Sequence, residues 1–305
     1  MTHAIMFHHF HNVRHAEGQG SISYDEFSRI LDYLEDNFEL LGAKEFSERV
    51  LSGRLSGKET CLTFDDSLKC QYDIALPVLQ DRALSAFFFV YTSVFTDKPE
   101  MLEIYRNFRN VQFDNMDGFY TAFFHVFNKQ HEQAYISYIK SYPDDYLLEF
   151  SFYTENDRRF RYVRDNALSV EQYHELMRVM MSDAGYDIKK ASQNLWMNAD
   201  DLIDLENKGH VIGLHSHTHP TAIDQLSYER QHSEYEINKQ ALSKILQQDL
   251  WAMSHPCGRY NKDTLDLLGD MGIRIGFRSS LSEPRICSAL EIPRDDHANL
   301  LKRII

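Results

Sequence analysis

Cys61-Leu62-Thr63-Phe64-Asp65-Asp66-Ser67, residues 61–67, is the stretch of sequence on which the fold prediction depends. Its first four residues have the apolar and β-branched character of a buried strand, and two adjacent carboxylates and a serine end that strand. Two neighbouring carboxylates are costly in an apolar setting unless a cation or a proton separates their pKa values. The stretch therefore predicts a buried strand that ends at a cation-binding site.

A second apolar strand ends in the same manner much later in the chain. It reads Gly209-His210-Val211-Ile212-Gly213-Leu214-His215-Ser216-His217-Thr218-His219-Pro220, with three histidines at alternate positions before a proline. Histidine and aspartate together suit a divalent transition metal, and three protein ligands with one open position are typical of a catalytic site. Asp66 with two of these histidines would complete such a ligand set.

Strand geometry alone leaves the ligand set open. Strict alternation would put His215, His217 and His219 on one face of their strand. It would also send Asp65 and Asp66 to opposite faces of theirs. Spacing therefore does not choose between His217 and His219, and it does not place both aspartates in one site.

Taken together, the two motifs resemble those of the NodB-type polysaccharide deacetylases, carbohydrate esterase family 4. The similar segments are Thr63-Phe64-Asp65-Asp66 and His215-Ser216-His217-Thr218-His219. The resemblance implies that Asp65 is the general base. It further implies that Asp66, His215 and His219 hold a divalent metal, for which zinc is the expected ion. The fold that it implies is a distorted (β/α)7 barrel of the α/β class.

A third segment is similar to the substrate-groove motif of this family. It reads Ser254-His255-Pro256-Cys257-Gly258-Arg259-Tyr260-Asn261. By this resemblance the backbone N–H of Cys257 holds the oxyanion of the reaction. His255, Pro256 and Gly258 are expected to bind the substrate.

Two further residues near the C-terminal end are candidates for the site. The late Leu-x-His motif of the family is missing, so His297 is the candidate general acid, with a solvated surface histidine as the alternative. Arg294 is expected to bind substrate. A second hypothesis is that Arg294 orients Asp65, replacing an arginine that family members often carry before their groove motif. Near the other end, His9 lies in the polar end of a first strand over 4–10 and could also face the site, with a hydrogen-bonded strand-end histidine as the alternative.

The order of strands and helices agrees with a barrel. A helix over 68–82 and a nearly all-apolar strand over 85–92 follow the paired aspartates, which predicts parallel strands with a right-handed crossover. Seven candidate strands occur along the chain, the last of them at 290–293. We therefore predict that 1–96 and 197–305 form the barrel.

Residues 97–196 differ from the rest because they have helical periodicity and no convincing strand, which predicts a large helical insertion. An aromatic stripe in this segment is interpreted as the insertion's own core, with a lid or a partner surface as the alternative. The stripe consists of Phe119, Tyr120, Phe123, Phe124 and Phe127.

Composition excludes several classes of partner. The chain has 305 residues and a formal net charge of −14, which argues against nucleic acid or an anionic membrane. No apolar run is long enough for a transmembrane segment, and nothing resembles a signal peptide, so a cytoplasmic protein is expected. The cysteines have no paired spacing that would indicate a disulfide framework or a zinc knuckle. Composition leaves the oligomeric state open.

The leading hypothesis is a metal-dependent hydrolase that removes an N-acetyl group from an amino sugar. The expected substrate is a glycan or a glycan precursor in surface-polysaccharide biosynthesis. One alternative is a catalytically degenerate binding protein with the same barrel, which the altered third motif favours. Another alternative is a hydrolase of a different C–N amide bond.

Overall fold

A closed barrel of seven parallel strands forms most of the fold in the computed structural model, which describes residues 4–96, 98, 100–148, 153–279 and 283–304. The barrel strands are β1 (Ala4–Phe7), β3 (Glu59–Phe64), β4 (Phe87–Val90), β5 (Val211–Leu214), β6 (Ala252–Ser254), β7 (Ile275–Arg278) and β8 (Ile292–Asp296), and a further short strand is β2 (Glu39–Leu40). The ring closes because β1 pairs with both β3 and β8. The predicted (β/α)7 barrel is confirmed.

The short strand β2 was not predicted and lies outside the closed ring. It pairs in parallel with the first two residues of β3, before β1 begins to pair with the same strand. Two residues carry too little pattern to be distinguished from a loop in the sequence.

Helices surround the strands and also form a separate region. They are α1 (Tyr24–Asn37), α2 (Ala43–Leu51), α3 (Leu76–Asp81), α4 (Met101–Gln112), α5 (Met116–Gln130), α6 (Glu132–Ser141), α7 (Glu155–Tyr162), α8 (Val170–Asp183), α9 (Ile188–Leu195), α10 (Ala199–Asn207), α11 (Tyr228–Leu246), α12 (Lys262–Asp270) and α13 (His297–Ile304). Contacts divide the chain into a barrel unit, Met1–Glu100 with Ser192–Ile305, and a helical unit, Met101–Ala191. Among the described residues, no helix has both the length and the apolar character needed to cross a membrane.

The helical unit has an aromatic core of its own. Phe119, Tyr120 and Phe123 of α5 are buried and contact the ring of Phe160 on α7, with centroids 4.9–5.6 Å apart. Phe124, on the same helix, stacks on a tyrosine of α6 at 5.9 Å. These contacts confirm that the predicted aromatic stripe packs inside its own unit.

The interior of the barrel is filled by alternate residues of its strands. Cys61 of β3 and Ile292 of β8 belong to one buried cluster that also includes residues of β4, β7 and α2. Because side chains alternate along a strand, Thr63, Asp65 and Arg294 continue the same inward-facing rows. The barrel interior is thus apolar at the start of the strands and polar at their carboxyl ends.

The last strand ends later than the predicted range 290–293. β8 extends to Asp296 because β1, from the opposite end of the chain, supplies a partner for it, with Ala4 opposite Arg294. Arg294 is therefore a strand residue inside the barrel and not part of a loop after it.

We predict that His210, just before β5, makes the fold sensitive to mild acid. Its side chain is 3% exposed, and its Nδ1 accepts a hydrogen bond from the Ala86 N–H at 3.1 Å. Burial lowers the pKa of His210 to about 4, below the value near 6.5 of an unfolded histidine. The unfolded state therefore binds the extra proton first, and the free energy of unfolding falls by up to about 1.4 kcal/mol per pH unit between pH 6.5 and 4.

Chemical denaturation at a series of pH values measures this effect. His210→Asn retains an acceptor for the Ala86 N–H but does not titrate, so its stability should fall less steeply across this pH range. His232→Asn, at an exposed histidine of α11, is the matched control and should follow the wild type. A wild-type slope in the His210→Asn variant would contradict the prediction.

Candidate active site

Polar residues follow the carboxyl ends of neighbouring barrel strands. Asp65 and Asp66 come directly after β3, and His215 comes directly after β5. His8 follows β1, and Ser254 is the last residue of β6. Because the strands are parallel, their carboxyl ends share one edge of the barrel, where active sites of such barrels lie.

Asp66, His215 and His219 form a candidate metal site. Their possible ligand atoms all lie within 4.8 Å of one another. The Asp66 Oδ1 is 3.5 Å from His215 Nε2 and 3.6 Å from His219 Nε2, yet this buried oxygen has no hydrogen-bond partner. Ligand atoms about 2.0–2.2 Å from one tetrahedral ion would lie roughly 3.3–3.6 Å apart. The three residues therefore fit a divalent cation.

Unusual backbone conformations bring these ligands together. Asp66 (φ 75°) and Ser67 (φ 55°) are in the left-handed region, which turns the Asp66 carboxylate away from the face that alternation would give it. Ser216 (φ 63°) and His219 (φ 53°) bend the second segment similarly. Such strained residues cluster at functional sites.

His217, the competing histidine, is placed differently. Its Nδ1 lies 2.9 Å from the Thr92 hydroxyl, and it does not belong to the ligand cluster found among the described residues. The structure thus brings together His215 and His219, the pair that spacing alone could not choose.

The first histidine ligand is held in one orientation. His215 Nδ1 lies 2.8 Å from the Ser254 carbonyl oxygen, so Nδ1 carries the proton that this contact needs and Nε2 is left to face Asp66. Burial disfavours the charged ring, but Asp65 and Asp66 outweigh burial and raise the pKa of His215. For His219, burial prevails and lowers the pKa to about 4.

Asp65 is paired with Arg294 inside the barrel. Arg294 Nη1 donates to Asp65 Oδ1 and Nη2 donates to Asp65 Oδ2, both at 2.7 Å. Nη2 also donates to the Ser254 hydroxyl at 2.7 Å, and Nη1 donates to Thr63 Oγ1 at 3.1 Å. Burial would raise the pKa of Asp65, but the guanidinium and His215 lower it, so the carboxylate stays ionised.

The expectation that Arg294 binds substrate is corrected by this geometry. The residue is 1% exposed, and its guanidinium donors face groups of the protein. The two hydrogen bonds to Asp65 agree with the second hypothesis, that Arg294 orients Asp65.

The groove motif divides into buried and exposed residues. His255 is 0% exposed, with Nε2 2.8 Å from the Leu290 carbonyl oxygen and its ring stacked on Tyr260. Pro256 is buried as well. The expectation that the side chains of His255 and Pro256 bind substrate is therefore wrong, because neither reaches the surface.

Cys257 and Gly258 remain candidates for substrate contact. Cys257 is exposed, and within the described part of the chain no acceptor is found for its backbone N–H. Gly258 has φ 66°, and a Cβ there would lie 2.2 Å from the hydroxyl oxygen of Ser279. Glycine is thus required beside Cys257, and the turn leaves the Cys257 N–H free to donate.

His297, the candidate general acid, is buried at the start of α13. The residue is 4% exposed, with Nε2 3.1 Å from the Gly20 carbonyl oxygen and Nδ1 3.4 Å from that of Met6. Its ring also stacks on Phe7. The alternative of a solvated surface histidine is wrong, and no contact between His297 and the paired aspartates is found among the described residues.

His8 is a candidate site residue that the sequence analysis missed. Its Nε2 lies 3.9 Å from Asp65 Oδ2 and 3.9 Å from Asp66 Oδ2, and its side chain is 28% exposed. A signal was present, because Phe7 pairs with Phe64 and the next residues, His8 and Asp65, then lie side by side. Aligning the ends of the two strands would have favoured His8 over His9.

Gln71, also missed, fixes the backbone under this pair. Its buried amide nitrogen donates to the carbonyl oxygens of His8 at 2.9 Å and Asp65 at 2.6 Å. Gln71 begins a π-helical turn, Gln71–Ala75, which precedes α3 within the range predicted as one regular helix. π-Helical turns often occur at functional sites, and here the wide turn presents the amide to both strand ends.

Comparisons with solved structures agree with this fold. Among solved structures, the Streptococcus pyogenes deacetylase PplD in complex with acetate is 16% identical, with a TM-score of 0.55 over 100% of this chain and 98% of that chain. IcaB from Ammonifex degensii is 16% identical, with a TM-score of 0.56 over 96% of this chain and 89% of that chain. At these identities the two structures support the fold alone.

The family assignment comes from a second comparison. A search of curated proteins finds no match. The family model described as Polysaccharide deacetylase matches residues 52–276, which include both aspartates, both histidine ligands and the groove motif. Since the match covers most of the chain, this protein belongs to the polysaccharide deacetylase family.

Proposed function

We propose that this protein is a metal-dependent hydrolase that removes the N-acetyl group from an amino sugar in a glycan or a glycan precursor. The observation that carries the proposal is the unpartnered, buried Asp66 Oδ1 facing two histidines, directly beside the ionised Asp65. Membership of the polysaccharide deacetylase family supports an N-acetylated sugar as the substrate. Two nitrogens and one carboxylate oxygen suit zinc, which we propose as the metal.

Asp65 is the general base of the proposed reaction. When bound by Asp66, His215 and His219, the metal would polarise the acetamide carbonyl and lower the pKa of water. Asp65 takes the proton from the attacking water as the water oxygen bonds to the carbonyl carbon. Arg294 keeps this carboxylate ionised and fixes its orientation through two hydrogen bonds.

Backbone and side-chain donors complete the reaction. The free N–H of Cys257 donates to the oxyanion that forms when water adds to the carbonyl. His8, partly exposed and next to both aspartates, protonates the amine nitrogen as the C–N bond breaks. The products are acetate and the free amino sugar.

The alternatives make different demands on the site. A degenerate binding protein has no need of an ionised base held by a buried arginine. His8 offers a proton donor next to the aspartates, in place of the late motif that is missing and of His297. A hydrolase of another C–N amide would use the same groups and would differ from an N-deacetylase in the substrate that it cleaves. The biosynthetic role and the cytoplasmic location stay predictions.

We predict that Asp65→Asn retains the metal but loses deacetylation by about 10²–10⁴-fold, because the amide cannot accept the proton. Metal content and acetate release should be measured with N-acetylated sugars, nucleotide sugars and chito-oligomers. Asp204→Asn, at a carboxylate on α10 that accepts from Tyr72, is the control and should remain active. Removal of metal by a chelator should abolish acetate release, and added zinc should restore it.

Wild-type protein that binds no metal, even after reconstitution, would overturn the enzymatic proposal. Metal binding with release of a different acid from an amide substrate would favour the hydrolase of another C–N bond.

We predict that the Asp65–Arg294 pair is strongly coupled in stability. Arg294→Gln leaves a buried carboxylate without its cation and should lower the free energy of unfolding of the metal-free protein by about 3 kcal/mol. The double variant Asp65→Asn/Arg294→Gln should recover much of this loss, because no charge is then buried. Denaturation of the four proteins in this cycle measures the coupling, and additive losses would contradict it.

We predict that His8 is the proton donor and that His297 is not. His8→Gln should lower kcat by 10²-fold or more at unchanged metal content, while His9→Gln, the neighbouring control, should not. A substrate whose amine is a weak base should lose less activity in His8→Gln, since such an amine leaves without a proton. Full activity in His8→Gln, with loss of activity in a folded His297→Gln variant, would contradict this prediction and indicate that His297 is the proton donor.

A further inference from the structure

The segment from His215 to His219, here called the histidine loop, has a backbone that needs external support. Ser216 and His219 both have left-handed conformations, with φ 63° and 53°, and neither is a glycine. L residues pay a steric cost in this region, so surrounding contacts must hold them there. Within the loop, the His219 N–H donates to the Ser216 hydroxyl at 3.1 Å. This hydrogen bond does not include the two residues between them.

Glu234 of α11 binds the middle of the histidine loop with both of its carboxylate oxygens. Oε2 accepts from the backbone N–H of His217 at 3.0 Å and of Thr218 at 2.7 Å. Oε1 accepts from the Thr218 hydroxyl at 2.7 Å. Hydrogen bonds to a charged acceptor are stronger than neutral ones, and three of them converge on two consecutive residues.

Asn238, one turn later on the same helix, fixes the start of the loop. Its Oδ1 accepts from the His215 N–H at 3.0 Å, and its Nδ2 donates to the Val90 carbonyl oxygen at 2.9 Å. Asn238 is fully buried, whereas Glu234 is only half-buried. The beginning of the loop is therefore anchored in the core. The part that leads to His219 is held by Glu234 on one side and by Ser93 and Thr92 on the other, since the Ser93 N–H donates to the His217 carbonyl oxygen at 2.9 Å and the Thr92 hydroxyl lies 2.9 Å from His217 Nδ1.

We propose that Glu234 is a positioning residue that holds His219 in the geometry needed to bind a metal together with Asp66 and His215. It touches neither the metal ligands' side chains nor a reacting atom, so it acts through the loop backbone. This inference rests on the proposed function, because it requires that the three residues bind a metal. Outer partners of this kind typically contribute 10- to 100-fold in metal affinity.

The helix that carries Glu234 does not depend on this carboxylate for its own packing. α11 is attached to the barrel unit by buried side chains that include Tyr235, Leu242 and Leu246. Removing the Glu234 carboxylate should therefore loosen the histidine loop and leave the helix in place. The substitution should therefore lower the metal affinity and leave the stability of the metal-free protein nearly unchanged.

Binding of Co²⁺ to the full chain, followed by its visible absorption, tests the proposal. Glu234→Ala should raise the dissociation constant of Co²⁺ by 10- to 100-fold, and Glu234→Gln, which keeps one acceptor oxygen, should raise it less. Glu236→Ala is the matched control on the same helix, since this carboxylate accepts only from Gln240 in the described structure, and its affinity should equal that of the wild type. The thermal midpoints of the metal-free variants should stay close to that of this control.

Two results would overturn the inference. One is a wild-type Co²⁺ affinity in Glu234→Ala. The other is a parallel decrease of Co²⁺ affinity and of the thermal midpoint of the metal-free protein in both Glu234 variants, which would indicate a role in folding alone. Glu234→Gln retains the side-chain volume and decides the question if Glu234→Ala does not fold. Wild-type protein that fails to bind Co²⁺ would instead overturn the proposed function.

Discussion

The buried ion pair between Asp65 and Arg294 constrains the polar end of the barrel. A carboxylate and a guanidinium at this depth lose nearly all of their hydration, which is tolerated only when they satisfy each other in good geometry. Arg294 joins β8 to the end of β3 and, through the Ser254 hydroxyl, to β6. The pair therefore fixes three strand ends relative to one another, and Ser254 in turn fixes His215 through its carbonyl oxygen.

This arrangement gives two adjacent aspartates different tasks. Asp65 continues the inward-facing row of β3 and meets Arg294, so its charge is neutralised by the protein. Asp66 is turned the other way by its left-handed backbone, and within the described part of the chain its carboxylate faces the nitrogens of His8, His215 and His219, with one oxygen unpartnered. One carboxylate is thus ionised beside a guanidinium, as the proposed base must be, and the other has an unpartnered oxygen that fits a cation. The difference arises from backbone conformation and neighbours, since the two side chains are chemically identical.

Much of the fold and part of the site could be predicted from the sequence, for identifiable physical reasons. Apolar strands that end in polar residues are visible in the sequence, and the family resemblance supplied the ligand set that alternation left open. The pairing of β1 with both β3 and β8 was not predicted, because it joins residues far apart in the chain, although β1 and β3 both end in a phenylalanine followed by a polar residue. For that reason His8 was missed in favour of His9, and the last strand was predicted to end before Arg294. His255 was misjudged because a motif position does not reveal whether the side chain turns inward.

The arginine of this site illustrates why position in a motif and position in space can differ. Members of the family that this chain resembles often carry an arginine just before the groove motif, at the end of β6, where this chain has Ser254 and His255. In the structure a guanidinium reaches the same carboxylate from β8, and Ser254 serves as one of its acceptors. Inward-facing rows of several strands converge on the barrel axis, so more than one strand can deliver a side chain to Asp65. The closed barrel thus allows different strands to place a guanidinium at the same carboxylate.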